Sequence, residues 1–297
     1  MPQTNVHSAL LADYGLLLVC GEDARAFLHA QLTNDIAHLD GNHARRAAWC
    51  TAQGRVLATF LVLPWQEDFI LQLARDLAES VARRLALYVL RSKVKVAEVS
   101  AQWAQIGVAG DEAERALVQA GLPVPAGALE IMHTDGRLVV RLGSARFLIL
   151  ALAAGGEALR SHLAASTLDG FWREAEIDSG TPLITAATQD HFVPQMLDLE
   201  RLGAVDFRKG CYPGQEVIAR AQYRGQVKRR LYRVESDAPL AAGERLAGGG
   251  ATQEDGGVVI NAQGRRGLAV LPVAAVESGA ELRTLGGAIV RVLGRTS

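Results

Sequence analysis

At 297 residues the chain is long enough for two or three domains, each taking roughly 100–200 residues. Apolar residues make up 49% and charged residues 21%, an ordinary globular composition that excludes a disordered or fibrous chain. Lys and Arg (31) balance Asp and Glu (32), so global charge selects neither a nucleic-acid nor a membrane partner, and either would have to be met by a local patch.

Leu16 to Val19 is a short apolar run that predicts a strand. Gly21-Glu22-Asp23 then supplies a turn before a helix from Ala24 to Leu32, and Asp40-Gly41-Asn42 marks the next turn. Val56 to Leu63 predicts a strand stopped by Pro64, and Asp68 to Leu73 a second, half-buried one. Asp76 with Glu79 resembles a capping box opening a helix whose Leu77, Val81, Leu85, Tyr88 and Val89 recur at helical spacing. Strands over Lys93–Val99 and Trp103–Val108 precede a helix from Asp111 to Ala120, closed by Gly121 and Pro123. A hairpin pairs Arg137–Leu142 with Arg146–Leu150, and another helix covers Glu157 to Ala165. Strand pairs interrupted by helices predict an α+β fold with antiparallel sheets rather than a βαβ repeat. In the final 63 residues, 12 of the 30 glycines separate short β-branched runs, which predicts a small all-β barrel or sandwich beginning near residues 233–240.

Generic catalytic motifs are absent: there is no G-x-S-x-G, no P-loop and no H-E-x-x-H. Ile106-Gly107-Val108-Ala109-Gly110 lacks the third glycine of a dinucleotide turn and reads as structural. The histidines show no ligand spacing, and the three cysteines are far apart without a C-x-x-C, so neither a metal site nor a disulfide framework is expected. The longest strictly apolar run, Phe147–Ala154, is far short of the roughly 20 residues of a spanning helix, and no Lys or Arg precedes Arg25 as a signal peptide would require. A cytoplasmic protein with no membrane partner is the expectation.

One segment concentrates chemistry. Asp206-Phe207-Arg208-Lys209-Gly210-Cys211-Tyr212-Pro213-Gly214 ends in turn residues, and Gln215-Glu216-Val217-Ile218-Ala219-Arg220 begins a helix. Cys211 therefore stands on a tight loop before a helix N-terminus, two residues from Lys209, where positive charge favours a thiolate. The plain alternative for Cys211 is a small buried hydrophobe. Between Arg201 and Arg233 nine Lys and Arg face only Asp206 and Glu216, with Tyr212, Tyr223 and Tyr232 interleaved, which suits phosphate, RNA or a polyglutamylated tail. A solvated helix and strand would look the same. Upstream, Asp178 precedes a Gly180-Thr181-Pro182 turn, where a carboxylate can accept hydrogen bonds from an amino-pyrimidine-like ring edge.

Lys209-Gly210-Cys211-Tyr212-Pro213-Gly214-Gln215-Glu216 resembles the K-G-C-Y-x-G-Q-E signature of the YgfZ family, folate-binding proteins related to the T-protein (aminomethyltransferase) of the glycine cleavage system. The likeness extends over most of the chain, through Asp23–Leu28 and Gln31–Asp35, Gly54–Ala58, Phe192–Gln195 and Gly267–Leu271. It implies a T-protein-like three-part ring arrangement with ferredoxin-like antiparallel α/β layers and a small C-terminal β-barrel. The implied domains are 1–54 with 170–232 carrying the Cys loop, 55–169, and 233–297. It also implies a tetrahydrofolate or one-carbon-derivative site, and a role in assembly or repair of iron–sulfur clusters, with tRNA-modifying enzymes among the clients. The family's essential cysteine maps onto Cys211, with Lys209 beside it. Its pterin-facing Glu maps onto Asp178, one methylene shorter, where a water can bridge. Gln215 and Glu216 would orient the loop or ligand, and Arg220 and Arg224 would meet the folate glutamate. The alternatives are a folate-dependent aminomethyl or methyl transferase, for which the signature offers a cysteine instead of an evident acid/base group, and a tRNA-binding module using the basic 201–233 stretch. An accessory rather than an enzymatic role is the leading expectation.

Overall fold

The computed structural model describes residues 6–163, 166, 168–223, 225–248 and 255–295. In chain order its first third contains β1 (His7–Leu10), β2 (Tyr14–Cys20), α1 (Ala24–Gln31), β3 (Arg45–Cys50), β4 (Val56–Trp65), β5 (Asp68–Ala74), α2 (Arg75–Ala86) and β6 (Lys95–Glu98). There follow β7 (Trp103–Ala109), α3 (Ala113–Gln119), β8 (Ile131–Thr134), β9 (Arg137–Gly143), β10 (Arg146–Leu152), α4 (Ala153–His162) and α5 (Phe171–Ser179). The remainder is α6 (Gln215–Tyr223), β11 (Arg229–Ser236), β12 (Arg245–Gly248), β13 (Asp255–Gln263), β14 (Arg266–Pro272), α7 (Val273–Glu277), β15 (Leu282–Thr284) and β16 (Ile289–Arg295).

The strands form two five-stranded sheets, ordered β1-β7-β10-β9-β8 and β3-β4-β5-β2-β6, and a closed barrel ordered β11-β14-β13-β12-β15-β16. The α+β class and the C-terminal barrel are thus as the sequence predicts, and closure decides for a barrel over a sandwich. By internal contacts the chain divides into two compact units, one of residues 1–29, 36–46 and 60–172, the other of residues 30–35, 47–59 and 173–297. The first has a core of Ile106, Val108, Phe147 and Ile149 packed with Leu117 and Leu163. In the second, Val234, Val259, Ala269 and Leu271 fill the barrel.

Gly121 adopts φ +70, and the N–H groups of Gly121 and Leu122 bond back to Val118 and Leu117, the paired closure that a glycine just past a helix permits. Gly107 lies inside β7, where a Cβ would come within 2.5 Å of the Trp172 indole, so the small residue serves packing, not a nucleotide.

Four readings need correction. Pro64 does not stop β4: it pairs with Phe69 just before the Gln66–Glu67 turn, where antiparallel alternation turns its backbone nitrogen away from β5. β5 is buried on both faces rather than half-buried, because it lies between β4 and β2; its Gln72 is accommodated by donating Nε2 to Gln105 Oε1 at 2.8 Å. Asp76 does not cap α2, whose N-cap is Ala74 with no side-chain bond; Tyr88 and Val89 fall beyond its end. Asp178 belongs to α5 rather than to a turn. The helix closes at Gly180 (φ +63), with Gly180 N–H on Ile177 O and Thr181 N–H on Glu176 O.

Candidate functional site

The loop that carries Cys211 is fastened in the order in which it leaves the preceding chain. Thr33 Oγ1 donates to Ala204 O at 2.7 Å and accepts the Ala48 N–H at 2.8 Å, and Asn34 Nδ2 donates to Gly203 O at 2.6 Å. Asp206 N–H donates to Thr33 O, and Asp206 Oδ1 accepts the Arg208 N–H at 2.7 Å, an Asx turn. Lys209 then points inward, its Nζ donating to Leu32 O at 2.7 Å. Downstream, Gln215 Nε2 reaches back to Lys209 O at 3.3 Å and closes the loop over Cys211. Gly214 (φ +80) packs so tightly on the Thr51–Gly54 turn that a Cβ would lie 2.5 Å from Thr51 O.

The result is an alternation. Lys209 and Tyr212 are buried, while Gly210 and Cys211 between them are exposed. The thiol is therefore displayed to solvent, and the reading of Cys211 as a buried hydrophobe does not hold. That description fits Cys50 instead, which is buried and whose thiol burial pushes up, away from thiolate.

Burial brings the Lys209 ammonium down to about 8, against the opposing pull of Asp35, Asp206 and Cys211. The same ammonium sits 4.7 Å from the centre of the Tyr212 ring, a cation–π contact that offsets part of the lost hydration. The Tyr212 hydroxyl is buried and has no hydrogen-bond partner among the described residues, and burial, then Cys50 and Asp206, push it up.

Sequence reasoning missed what holds α6 from beneath. Gln195 is fully buried; its Nε2 donates to Ile218 O of α6 at 2.7 Å, and its backbone carbonyl accepts from Arg230 at 2.8 Å. Three residues on, Asp198 is 1% exposed at φ +52 and pairs with Arg201, Arg230 and Arg295, while Arg230 also meets Glu200. Buried, multiply paired carboxylates of this kind are assembled from distant chain segments, and Phe192–Gln195 in the sequence was the one signal pointing there.

The other expected site residues are dispersed. Gln215 belongs to the loop as a closing bond. Glu216 and Arg220 pair with each other at 2.8 Å on the exposed face of α6. Arg224 lies outside the described residues. Asp178, half exposed, gives Oδ1 to Arg266 of β14 at 2.5 Å, its one polar partner among the described residues. Of the nine cations from Arg201 to Arg233, Arg201 and Arg230 serve Asp198, Lys209 turns inward, Arg220 meets Glu216, Arg229 and Arg233 are half-buried in β11 and Arg224 lies outside the described residues, leaving Arg208 and Lys228 as exposed charges. Among the described residues no cluster of three or more His, Cys, Asp or Glu is placed to hold a metal ion, and no helix is long and apolar enough to cross a membrane.

Residues 11–149 match the family model described as the GCVT N-terminal domain. The tRNA-modifying protein YgfZ of Hamiltonella defensa is 32% identical over 229 residues, covering 75% of this chain and 68% of that protein. That of Photorhabdus laumondii is 34% identical over 226 residues, with the same coverage of 75% and 68%. Among solved structures, glycine cleavage system aminomethyltransferase T from Bartonella henselae superposes with a TM-score of 0.80 at 18% identity, covering 98% of this chain and 86% of that one. At that identity the likeness establishes a T-protein-like fold and no more.

Proposed function

The chain belongs to the YgfZ family, and from that premise we propose that it is a tetrahydrofolate-binding accessory protein for the assembly or repair of iron–sulfur clusters, with Cys211 as its working thiol. The observation that carries this reading is the display of Cys211 between two buried anchors, Lys209 and Tyr212. A thiol kept only for packing would be turned inward, as Cys50 is. One thiol cannot supply the four thiolates of an ordinary cluster site, so the cluster stays with the client and Cys211 meets it there. The tRNA-modifying name of the relatives supports clients that modify tRNA.

A reduced folate suits the donor chemistry available. Asp178 leaves Oδ2 open beside the Arg266 pair and would accept hydrogens from the pterin edge. Arg220 would meet the glutamate carboxylate by exchanging Glu216, a swap that costs little for an exposed pair. When bound, the folate supplies one-carbon chemistry.

The test has two arms. In cells lacking the native protein, Cys211→Ala should leave iron–sulfur enzymes poorly active under oxidative stress; full activity would remove the thiol from the function. Calorimetric titration with tetrahydrofolate should show saturable binding that Asp178→Ala weakens, and no binding to the wild-type chain would remove the folate.

A further inference from the structure

The unit formed by residues 1–29, 36–46 and 60–172 carries a cleft of about 490 Å³ that contains none of the proposed thiol or folate residues. Three turns converge on it: Gly41 from the first, Gln66 from the β4–β5 hairpin, and Asp135 with Gly136 from the β8–β9 hairpin. Gln66 and Asp135 are both held at positive φ, +54 and +40, a backbone state that L residues adopt at some cost.

The wall groups are chemically specific. Trp65 lines the cleft and is steadied by Trp103, whose ring meets it at 90° with centroids 5.0 Å apart. His133 flanks the indole, centroids 6.0 Å apart, and its Nε2 lies 3.1 Å from Gly41 O. A carbonyl only accepts, so Nε2 carries the hydrogen, and Nδ1 is the acceptor in the tautomer this bond selects. Asp135 adds carboxylate acceptors and Arg137 a guanidinium; no ion pair joins these two, or either of them to another side chain, among the described residues.

Each group narrows the ligand. An indole face asks for a planar ring. Arg137 asks for an anion, for which its fork suits phosphate. Asp135 and Nδ1 ask for N–H donors such as an exocyclic amine. A simple anion would leave the indole unused, and a purely apolar ligand would desolvate Asp135 and Arg137 without partners. The volume falls within the roughly 300–1,000 Å³ of small-molecule sites. We propose that this cleft binds a nucleotide, its base against Trp65 and its phosphate on Arg137, supplied either free or as an unpaired residue of an RNA strand.

The full-length chain is titrated with AMP and CMP, with the matching nucleosides, and with a short single-stranded RNA, read by calorimetry and by quenching of tryptophan fluorescence. The expected result is saturable binding of the nucleotides, stronger than that of their nucleosides. It should weaken about fivefold or more in Trp65→Ala, the lower end of a lost base–aromatic stack, and comparably in Arg137→Gln. Trp65→Phe, which keeps a ring, should restore most of the affinity and separates lost stacking from lost folding. Much tighter binding of the strand than of the monophosphates assigns the ligand to RNA; equal binding assigns it to free nucleotide. Absence of saturable binding by nucleotide and strand alike, or affinities unchanged in both Trp65→Ala and Arg137→Gln, overturns the proposal. Cys211→Ala should bind as the wild type does, so the outcome is independent of the thiol.

Discussion

Lys209 Nζ donates to the carbonyl of Leu32 at 2.7 Å, joining residues 177 positions apart in the chain. This bond fixes one end of the Cys211 loop, and because the ammonium is buried there, its protonation is coupled to folding.

Lys209 titrates at about 8 when folded, below the roughly 10.4 of a lysine in an unfolded chain. Between those values the unfolded chain holds a proton that the folded one lacks, so the Lys209 contribution to stability rises with pH from about 8 towards 10, opposed from about 8.5 by Cys50, whose thiol ionises only in the unfolded chain. Below pH 8 the ammonium is present in both states and the cost of burying it is felt in full. Lys209→Met keeps the apolar stem and abolishes that rise. Urea midpoints measured across this range should climb with pH in the wild type relative to Lys209→Met, a difference in which the Cys50 contribution cancels; identical pH profiles would contradict the assignment.

Gly214→Ala should destabilise by about 2–3 kcal/mol or more, since it combines a positive φ with backbone contact. Gly203→Ala is the control: φ there is also positive, +65, but nothing lies within 4 Å of the added Cβ. It should cost about 1 kcal/mol. Equal losses in denaturant titrations would mean that φ alone matters and that the contact with the Thr51–Gly54 turn does not.

Asp198→Asn leaves Arg230 and its neighbours without their shared anion and should cost about 3–5 kcal/mol. Arg230→Met in the wild-type background should also destabilise, because it takes a partner from Glu200 as well as from Asp198. A thermal or chemical unfolding series measures both; an Asp198→Asn variant as stable as the wild type would show that the network is energetically idle.

Thiol accessibility separates Cys211 from Cys50. Under native conditions an alkylating reagent should label Cys211 rapidly and spare Cys50, which is 2% exposed and held protonated by burial. Mass spectrometry of the digested protein reads the order directly, and labelling of Cys50 first would contradict the loop geometry.

Asp178→Ala removes an exposed pair with Arg266 and should change stability by less than about 1 kcal/mol. Its predicted effect is on tetrahydrofolate, with binding weakened about tenfold, the equivalent of one lost charge-assisted hydrogen bond. A stability loss without a change in affinity would make the pair purely structural.

The parts legible in the sequence are those written in adjacent residues. Pro213-Gly214 followed by Gln215-Glu216 marks a turn and a helix start, and α6 begins at Gln215. Gly121 and Pro123 mark the end of α3 in the same way. α5 is hidden because Gly180-Thr181-Pro182 suggests a turn just after Asp178, whereas the glycine closes a helix already formed. β3 is not legible because Arg45-Arg46-Ala47-Ala48 offers neither alternation nor branched side chains; its pairing within the sheet makes it a strand. The Asp198 network was illegible for a different reason. Its arginines lie at 201, 230 and 295, and nothing in the spacing of charges along a chain announces which of them will share one carboxylate.

Where Gly214 meets Gly54, two backbones touch with no side chain between them, and the sulfur-bearing loop has no slack on that side. A mount of this kind does not swing out to greet a visitor. Whatever reacts at Cys211 has to travel the last few ångströms itself, on an arm of its own, so the range of partners is set by how far they can extend rather than by how far this protein can bend.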